Sequence, residues 1–497
     1  MASGMEYELP PRKHADHLVH IYWSFVDPLF PVLNKTSFMR SYGTLFSGIA
    51  VDTNERILVS TLNAVFALSI QLQESLKPNQ RDRLSGKYFQ RAHDLLRLRI
   101  WERGSIELVQ CLLVMSQYLQ CTDKPHQTWM VVGSAVRIAQ SLGFHLPETW
   151  ASPSNDQGAA LSCRIWQACI AMDRTICVTH GRPTMISEAL AATVIESKRR
   201  TCLLRNKDDQ LPHEEFLAKA VELYEITNQT VHKFISSAHT RYYNADLSGI
   251  INPSQNEEKL AIIIQVDGCL CRWENSLPAH LKFENASRQP DDICRRQAII
   301  LHLRLLHARI LLFRPMLARC CLVVEPDSLD GSLSDHIMQQ CALSCVEAAR
   351  NMISVLRQHQ KHDGSIGMLP AWWYRVFYIY TAATILAVST LRPDIFTHAE
   401  TINSWEEALL LFQAHEHLSE SVRVCLSALQ IMFSKIQQTQ DVSMSSLLFD
   451  GFPSEPQGAP VTECPDFIQN FPFGLDYSTL FNLDGMSSVI SGQFPSQ

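Results

Sequence analysis

The helical spacing of apolar residues constrains the fold of this chain more than any other feature of its sequence. Apolar residues recur every three or four positions in many segments, as at Leu58, Leu62 and Val65, and this spacing places them on one face of an α-helix. Short polar loops separate these segments, and we find no convincing run of alternating residues that would predict a strand. The pattern predicts an all-α fold in which helices pack on helices.

The predicted helices lie within residues 14–435, and breaker residues mark several of their ends. Pro28 follows the first apolar stripe, and Gly143 follows a stripe that ends at Leu142; proline and glycine are both typical of helix ends. The polar and charged stretch 198–211 is predicted to be a loop. After the first stripe, helices are expected over residues 57–76, 84–101, 106–119, 128–142, 161–178, 214–238, 257–275, 293–313, 334–358, 370–391 and 403–436.

Residues 436–497 differ from the rest of the chain in charge and in pattern. They hold seven acidic residues and no Lys, Arg or His, which matches the formal net charge of −7 of the whole chain, so residues 1–435 are neutral overall. Proline, glycine and serine replace the helical pattern, but large aromatic residues persist. We therefore divide the chain into a disordered N-terminus (1–13), an all-helical regulatory domain (14–435) and a disordered acidic tail (436–497).

Acidic residues interleaved with bulky apolar ones are typical of disordered activation domains. Repulsion between the like charges keeps such a segment extended, so that its aromatic side chains remain available to a shallow groove on a coactivator. The alternative is that the same side chains dock on the chain's own helical body. The candidate activation residues are Phe467, Phe471, Phe473, Tyr477, Leu480 and Phe481.

Several other classes of protein are disfavoured by the sequence. The 15 cysteines are scattered through apolar helical stretches, and residues 1–12 have no signal-like apolar run, which together indicate a reducing, intracellular compartment. We find neither paired zinc-ligand cysteines nor a metalloprotease, phosphate-loop or nucleophile–base motif. The sequence therefore predicts no catalytic residue, no metal site and no enzymatic activity.

Three further features each have two interpretations. Residues 371–391 are long enough to span a membrane, but Arg375 inside them favours a buried helix. The basic stretch 81–103 is either a solvated helix face or a track for phosphates. Asp173, Arg174 and Arg182 form either a structural ion-pair network around the Gly181-Arg182-Pro183 loop or a site for an anionic effector, and buried arginine more often has a carboxylate partner.

The middle of the chain carries a longer pattern. It comprises Trp129-x3-Gly133-x-Ala135-x-Arg137-x-Ala139-x2-Leu142-Gly143-Phe144-His145, then Arg164-Ile165-Trp166, Met172-Asp173-Arg174 and Gly181-Arg182-Pro183. This pattern resembles the middle homology region of fungal zinc binuclear-cluster transcription factors, and the cutinase and xylanase regulator branch in particular. The opening of the chain, from Ala15 to Leu33, and the helix His302–Pro315 are similar to other helices of that region, so the resemblance covers residues 14–435.

The resemblance implies a nuclear regulator of transcription in a fungus, with an all-helical inhibitory or effector-sensing domain. It suggests an activator that controls genes of metabolism or of a secondary-metabolite biosynthetic cluster. The expected partners are a coactivator at the tail, promoter DNA bound directly or through another protein, and a second copy in a homodimer, with no membrane. The alternatives are a co-regulator or scaffold without its own DNA binding, and an all-helical enzyme acting on a small molecule.

The family binds DNA through an N-terminal cluster of six cysteines that holds two zinc ions. In this sequence the first cysteine is Cys111, within a predicted helix, and residues 1–12 have no basic run. The sequence therefore predicts no zinc cluster and no other cofactor in this chain. It leaves open whether the gene model is truncated or the protein works without its own DNA-reading module.

Overall fold

The computed structural model of the chain describes residues 9–49, 54–96, 104–150, 156–204, 212–242, 253–322, 333–361 and 363–448. These residues form α-helices, short 3₁₀ turns, one π-helical turn and loops, with no strand among them, so the all-α prediction is confirmed. The helices are α1 Arg12–Ile21, α2 Lys35–Phe46, α3 Glu55–Gln71, α4 Pro78–Leu96, α5 Ile106–Leu119, α6 Pro125–Ser141, α7 Asp156–His180, α8 Glu188–Leu204, α9 Pro212–Tyr242, α10 Pro253–Asn275, α11 Asp292–Leu322, α12 Leu333–His359, α13 Trp372–Ser389, α14 His398–His415 and α15 Glu420–Leu448.

The chain divides into two compact units. Unit 1 comprises Met1–Asn228, Arg272–His302 and Lys361–Trp373, and unit 2 comprises Gln229–Cys271, Leu303–Gln360 and Tyr374–Gln497.

The core of unit 1 surrounds helices α3 and α5. Every residue of α3 from Leu58 to Gln71 is buried, and so is every residue of α5 from Val109 to Ser116. Helices that are buried on all sides must be surrounded by other helices, and here α1 and α4 pack on α3, while α6 and α7 pack on α5.

Side-chain caps and a left-handed glycine set the ends of several helices in unit 1. Asn54 caps α3 by accepting a hydrogen bond from the Ile57 backbone N–H at 3.3 Å, and Ser105 caps α5 in the same way. After α6, Gly143 has φ +78°, a conformation that glycine adopts without steric cost. The predicted helix end at Gly143 is therefore confirmed.

Unit 2 is built from the end of α9 after Asn228, α10 up to Cys271, α11 after His302, α12, α13 from Tyr374 onwards, α14 and α15. The Cys345 thiol of α12 donates to the Ile310 carbonyl of α11, and the Cys321 thiol donates to the Val388 carbonyl of α13. Helices α14 and α15 form a hairpin in which the Trp405 and Phe433 rings stack at 4.5 Å. None of the described helices is long and apolar enough to cross a membrane.

The structure differs from the sequence prediction at several boundaries. Residues 403–436, expected as one helix, form α14 and α15 on either side of a 3₁₀ turn at Glu416–Leu418. Helix α8 continues to Leu204, into the predicted loop 198–211, and α2 has no counterpart in the prediction. Helix α1 begins at Arg12, inside the segment 1–13 that was predicted to be disordered.

Candidate functional site

The site begins with an ion pair inside helix α7. Asp173 and Arg174 are 4% and 0% exposed, and the Arg174 Nη1 donates to Asp173 Oδ2 at 2.8 Å. Their helix turn is packed among apolar residues such as Cys169, Ile170 and Ile176, all buried. Charges in such surroundings are stable only when they are paired and hydrogen-bonded.

Glu225 of α9 is the third member of this cluster. The Arg174 Nε donates to Glu225 Oε2 at 3.0 Å, and Nη2 lies 3.5 Å from Oε1. The guanidinium is thus held by two carboxylates, one on its own helix and one on α9. The bidentate arrangement with Glu225 fits the planar guanidinium.

Asp173 also holds the loop that follows α7. Its carboxylate accepts hydrogen bonds from the backbone N–H groups of Met185 and Ile186, at 3.0–3.1 Å. The chain leaves α7 through Gly181, whose φ is +60°, and then returns over Asp173. Because one buried carboxylate accepts from two consecutive backbone N–H groups, it fixes the position of the loop at Met185 and Ile186.

The outer side of the same loop rests on helix α6. The Arg182 guanidinium lies 5.5 Å from the centre of the Trp129 ring, within the range of a cation–π contact. A Cβ added at Gly133 would lie 3.2 Å from the Met185 sulfur, so the missing side chain lets Met185 approach the helix. The sequence pattern around Trp129, Gly133, Asp173 and Arg182 thus converges on this loop.

Burial dominates the electrostatics of the cluster. It raises the pKa of Asp173, although the Ile186 and Met185 N–H groups and Arg174 oppose the shift. It also raises the pKa of Glu225 against the effect of Arg174. Burial and the nearby Arg182 charge lower the pKa of His180, at the end of α7, to about 4.

These contacts decide what the cluster can do chemically. All three Arg174 nitrogens already face carboxylate oxygens, and two carboxylates outnumber one guanidinium. The Arg174 nitrogens are therefore all engaged, and a further anion at Arg174 would meet two carboxyl groups at close range. The observed contacts of Asp173 are those of a structural anchor for the loop that follows α7. The binding of an effector at Arg182, which lies over Trp129, stays a prediction.

Sequence reasoning named Asp173, Arg174 and Arg182 but missed Glu225. A signal for it was present in the helical spacing, because Glu225 lies four residues after Val221 and eight after Leu217, and all three are buried on one face of α9. An acidic residue at an apolar-face position of a helix requires a cationic partner.

The basic stretch 81–103 is partly internal. Arg81 is fully buried, with its guanidinium 4.8 Å from the Trp372 ring centre and 3.5 Å from Asp82. Arg83 and Lys87 are exposed on α4, while residues 97–103 lie outside the described part of the chain. Arg81 is therefore removed from any surface that could follow phosphates.

Other acidic and histidine residues that lie close together in the sequence have structural partners. Asp291 Oδ1 accepts the Ile293 backbone N–H and Asp292 pairs with Arg295 at 3.1 Å, both at the start of α11. His415 is buried with Nδ1 2.6 Å from the Leu411 carbonyl, whereas His417 is exposed. Within the described ranges, no group of three or more His, Cys, Asp or Glu residues is arranged to hold a metal ion.

The cysteines of the described chain are free thiols and mostly buried. Burial raises the pKa of Cys177 and Cys341 to about 11, and that of Cys425 to about 12. A protonated, buried thiol is a poor nucleophile and a poor metal ligand. The candidate activation residues, from Phe467 to Phe481, lie outside the described residues.

Comparison with known proteins places this helical architecture in a family. Residues 19–247 match the fungal specific transcription factor domain, and the Trp129 pattern and the loop anchor both lie within that range. The chain is 34% identical over 485 residues to a sorbicillinoid biosynthetic cluster transcription factor of Hypocrea jecorina, covering 95% of this chain and 67% of the relative. This chain belongs to the fungal transcription factors that carry this domain.

Other relatives of this fungal transcription factor support the same assignment. A second sorbicillinoid biosynthetic cluster transcription factor, from Penicillium rubens, is 34% identical over 90% of this chain and 65% of its own length. The acetamidase regulatory protein of Emericella nidulans is 24% identical over 86% of this chain and 50% of its own length. The chain thus spans between half and two thirds of the length of these relatives.

Proposed function

We propose that this fungal transcription factor is an activator that controls the genes of a secondary-metabolite biosynthetic cluster from the nucleus. Membership of the fungal transcription factor family supports a role in regulating transcription. Two relatives named for a biosynthetic cluster support the proposal that the regulated genes belong to such a cluster. In this proposal the chain acts by binding other macromolecules and catalyses no reaction.

The acidic aromatic tail supports the proposal of activation rather than repression. Residues 436–497 have seven acidic residues and no basic residue, with aromatic side chains interleaved. Charge keeps such a segment soluble and extended, while Phe471, Phe473, Tyr477 and Phe481 supply the apolar contacts that a coactivator groove would bury.

A reporter assay tests this assignment of the tail. Residues 436–497 are fused to an unrelated DNA-binding module, and expression of a reporter gene is measured. We expect activation by the fusion, and a loss of about tenfold or more when Phe471, Phe473, Tyr477 and Phe481 are all replaced by alanine, because each buried aromatic side chain contributes on the order of 1 kcal/mol or more to binding.

The tail contains its own matched control. Replacing Phe449, Phe452 and Phe494 with alanine removes aromatic residues that lie outside the acidic segment 466–484, and this variant should keep most of the activity. A fusion that gives no activation, or equal losses in the two variants, would contradict the proposal.

A second comparison in the reporter assay distinguishes binding of the tail to a coactivator from docking of the tail on the helical body. If the tail docks on the body, the full chain fused to the same DNA-binding module should activate the reporter far less than the tail alone. Equal activation per molecule by the two fusions would show that the body leaves the tail accessible.

Contact with promoter DNA, direct or through a partner, is also part of the proposal. A gel-shift titration of the purified chain on promoter fragments of the cluster separates the two routes. Specific shifts by the chain alone indicate direct binding, whereas shifts that need a second nuclear protein indicate a co-regulator.

A further inference from the structure

Two exposed methionines lie close together on the outside of helix α6 in unit 1. Met185 belongs to the loop that Asp173 anchors, and it is 37% exposed although its backbone N–H is held by that carboxylate. Its sulfur lies against Gly133 of α6. Met130, one turn before Gly133 on the same face of α6, is 51% exposed. The two side chains therefore form one small apolar area on the surface.

An exposed arginine lies on either side of this methionine pair. Arg137 follows on the same face of α6, about 10 Å along the helix from Met130. Arg182 lies near the start of α6, with its guanidinium 5.5 Å from the centre of the Trp129 ring. Both arginines are exposed, and neither has a carboxylate partner among the described residues. Their charges are therefore available to a partner that approaches the methionines.

The surface around the two methionines is basic. Helix α6 contains Arg137 and His126 but no Asp or Glu. The acidic residues nearest in sequence lie outside this surface, because Asp123 precedes α6 and Glu188 begins α8. An anionic group above the methionines therefore meets two guanidinium groups.

The residue types of this surface are those that protein interfaces favour. Methionine, tryptophan and arginine are enriched at interfaces, and methionine side chains adapt to apolar partners of different shape. Because Asp173 fixes the loop at Met185 and Ile186, part of the surface is in position before any partner binds. We call the following five residues the α6 surface: Trp129, Met130, Arg137, Arg182 and Met185.

We propose that the α6 surface binds an acidic amphipathic helix of a partner protein. Apolar side chains one turn apart on that helix pack on Met130 and Met185, and carboxylates on either side of them pair with Arg137 and Arg182. An acidic ligand without an apolar face would leave the methionines uncovered, and an apolar ligand without acids would bury the arginines unpaired. The proposal is independent of the target genes and of the role of the tail in activation.

Two designed peptides of about 15 residues test the chemistry of the partner. The first is a helix with leucines on one face and glutamates on both sides of that face, and the second has glutamine in place of every glutamate. Fluorescence anisotropy of the labelled peptides measures their binding to the full chain. We expect saturable binding of the acidic peptide with a Kd on the order of 10 μM at low salt, and binding at least about tenfold weaker for the glutamine peptide.

The charge of the whole chain makes this comparison stringent. The formal net charge is −7, so the average electrostatic interaction with an acidic peptide is repulsive. A preference for the acidic peptide therefore requires a local basic surface.

Paired double variants test the location of the basic charges. Arg137→Gln with Arg182→Gln removes both charges of the α6 surface and should weaken binding of the acidic peptide by about tenfold. Binding of the glutamine peptide should stay within about twofold. Arg83→Gln with Lys87→Gln removes two exposed charges from α4 and should leave the Kd of the acidic peptide within about twofold.

A pair of methionine variants tests the apolar contact. Met130→Ser should weaken binding of both peptides by about fivefold, because their leucines lose an apolar partner. Met39→Ser, at a position of α2 that is 38% exposed, should leave both Kd values unchanged. Circular dichroism confirms that each variant is folded.

Four results would overturn the proposal. Three are the absence of saturable binding of the acidic peptide, equally tight binding of the glutamine peptide, and equal effects of the two double variants. The fourth concerns the chain's own acidic segment 466–484. If a peptide of that sequence binds the α6 surface more tightly than the designed helix, the occupant is this segment rather than a partner protein. A failure of the reporter assay on the tail would leave these binding measurements unaffected.

Discussion

Ion pairs join helices in both units, but they differ in burial. In unit 1, Arg174 and Asp173 are almost fully buried and Glu225 is 8% exposed. In unit 2, the side chains of Arg357 and Glu407 are 62% and 30% exposed. The distances are similar, near 2.7–3.0 Å in both units. Burial therefore decides how much each contact matters, because water screens the outer pair and cannot reach the inner cluster.

The largest expected effect follows from removing Arg174. Arg174→Met leaves Asp173 and Glu225 buried without their cation, and we expect a loss of about 3–5 kcal/mol in the free energy of unfolding. Urea unfolding followed by tryptophan fluorescence measures it, since eight of the nine tryptophans lie in unit 1.

Arg182→Met is the matched control for this prediction. It makes the same change at an exposed arginine of the same unit and should cost about 1 kcal/mol or less, the value of an exposed cation–π contact. Equal losses in the two variants would show that burial does not govern these contacts.

A somewhat smaller effect is expected at Asp173, and it should be local. Asp173→Ala removes the acceptor for the Met185 and Ile186 N–H groups, and we expect a loss of about 2–4 kcal/mol. Hydrogen exchange at these two amides should become about 10- to 100-fold faster. Asp173→Asn keeps one acceptor oxygen and should show about half the effect, while unchanged exchange in both variants would refute the anchoring role.

Asp27 of unit 1 is a second carboxylate whose pKa is raised by burial. Its Oδ1 is buried and has no hydrogen-bond partner among the described residues. Burial raises its pKa from the ordinary value of 3.8 to about 7, although the Arg164 and Lys35 charges oppose the shift. Burial raises the pKa of Asp173 as well, but there three hydrogen-bond donors oppose the shift.

This pKa predicts a pH dependence of stability with a definite sign. Between pH 4 and 7 the folded chain keeps a proton on Asp27 that the unfolded chain has released, so this stabilisation is lost as the pH rises through that range. Asp27→Asn should not lose this stabilisation. From pH 5 to pH 8, its free energy of unfolding should therefore rise by roughly 2 kcal/mol relative to that of wild type.

Urea unfolding of both proteins at each pH measures this difference. The contribution of His180, whose lowered pKa acts in the opposite direction, is common to both proteins and cancels. Asp123→Asn, at an exposed position, should leave the pH profile unchanged. If the free energies of unfolding of Asp27→Asn and wild type differ by the same amount at every pH between 5 and 8, the raised pKa of Asp27 is contradicted.

The smallest effect is expected for the exposed pair Arg357–Glu407, which joins α12 and α14. Arg357→Gln should cost at most about 1 kcal/mol, and 0.5 M salt should reduce even this loss, because exposed pairs are screened. Thermal unfolding followed by circular dichroism measures it. A loss comparable to that of Arg174→Met would remove the contrast between the two units.

The sequence predicted long, strongly periodic helices well. Helix α5 has the same bounds as predicted, because a capping residue, Ser105, precedes a continuous apolar run. Helix α2 was missed because only two of its residues, Phe38 and Tyr42, are buried. Two residues are too few to show the helical spacing of an apolar face. The break between α14 and α15 has neither proline nor glycine at Glu416–Leu418, so local sequence could not reveal it.

The part of the candidate site that is close together in the sequence was predictable, and the part that is distant in the sequence was not. Asp173 and Arg174 are adjacent, and the nearby Gly181-Arg182-Pro183 loop suggested an ion-pair network. Glu225 lies 51 residues away from Arg174 along the chain, and the packing of α9 against α7 at this point is a tertiary event that no local pattern specifies. Arg182 was close in sequence, yet its guanidinium lies over Trp129, because the turn at Gly181 directs it outward.

The most direct test of the regulatory role is made in the fungus that encodes this chain. Transcripts of the biosynthetic genes adjacent to its own gene are measured by RNA sequencing before and after its deletion, with re-expression of the intact chain as control. An activator predicts a coordinated fall of these transcripts, by about tenfold or more if loss of the protein removes on the order of 1.4 kcal/mol of recruitment, and recovery on re-expression. Unchanged transcripts under conditions in which the cluster is expressed would contradict the proposed function.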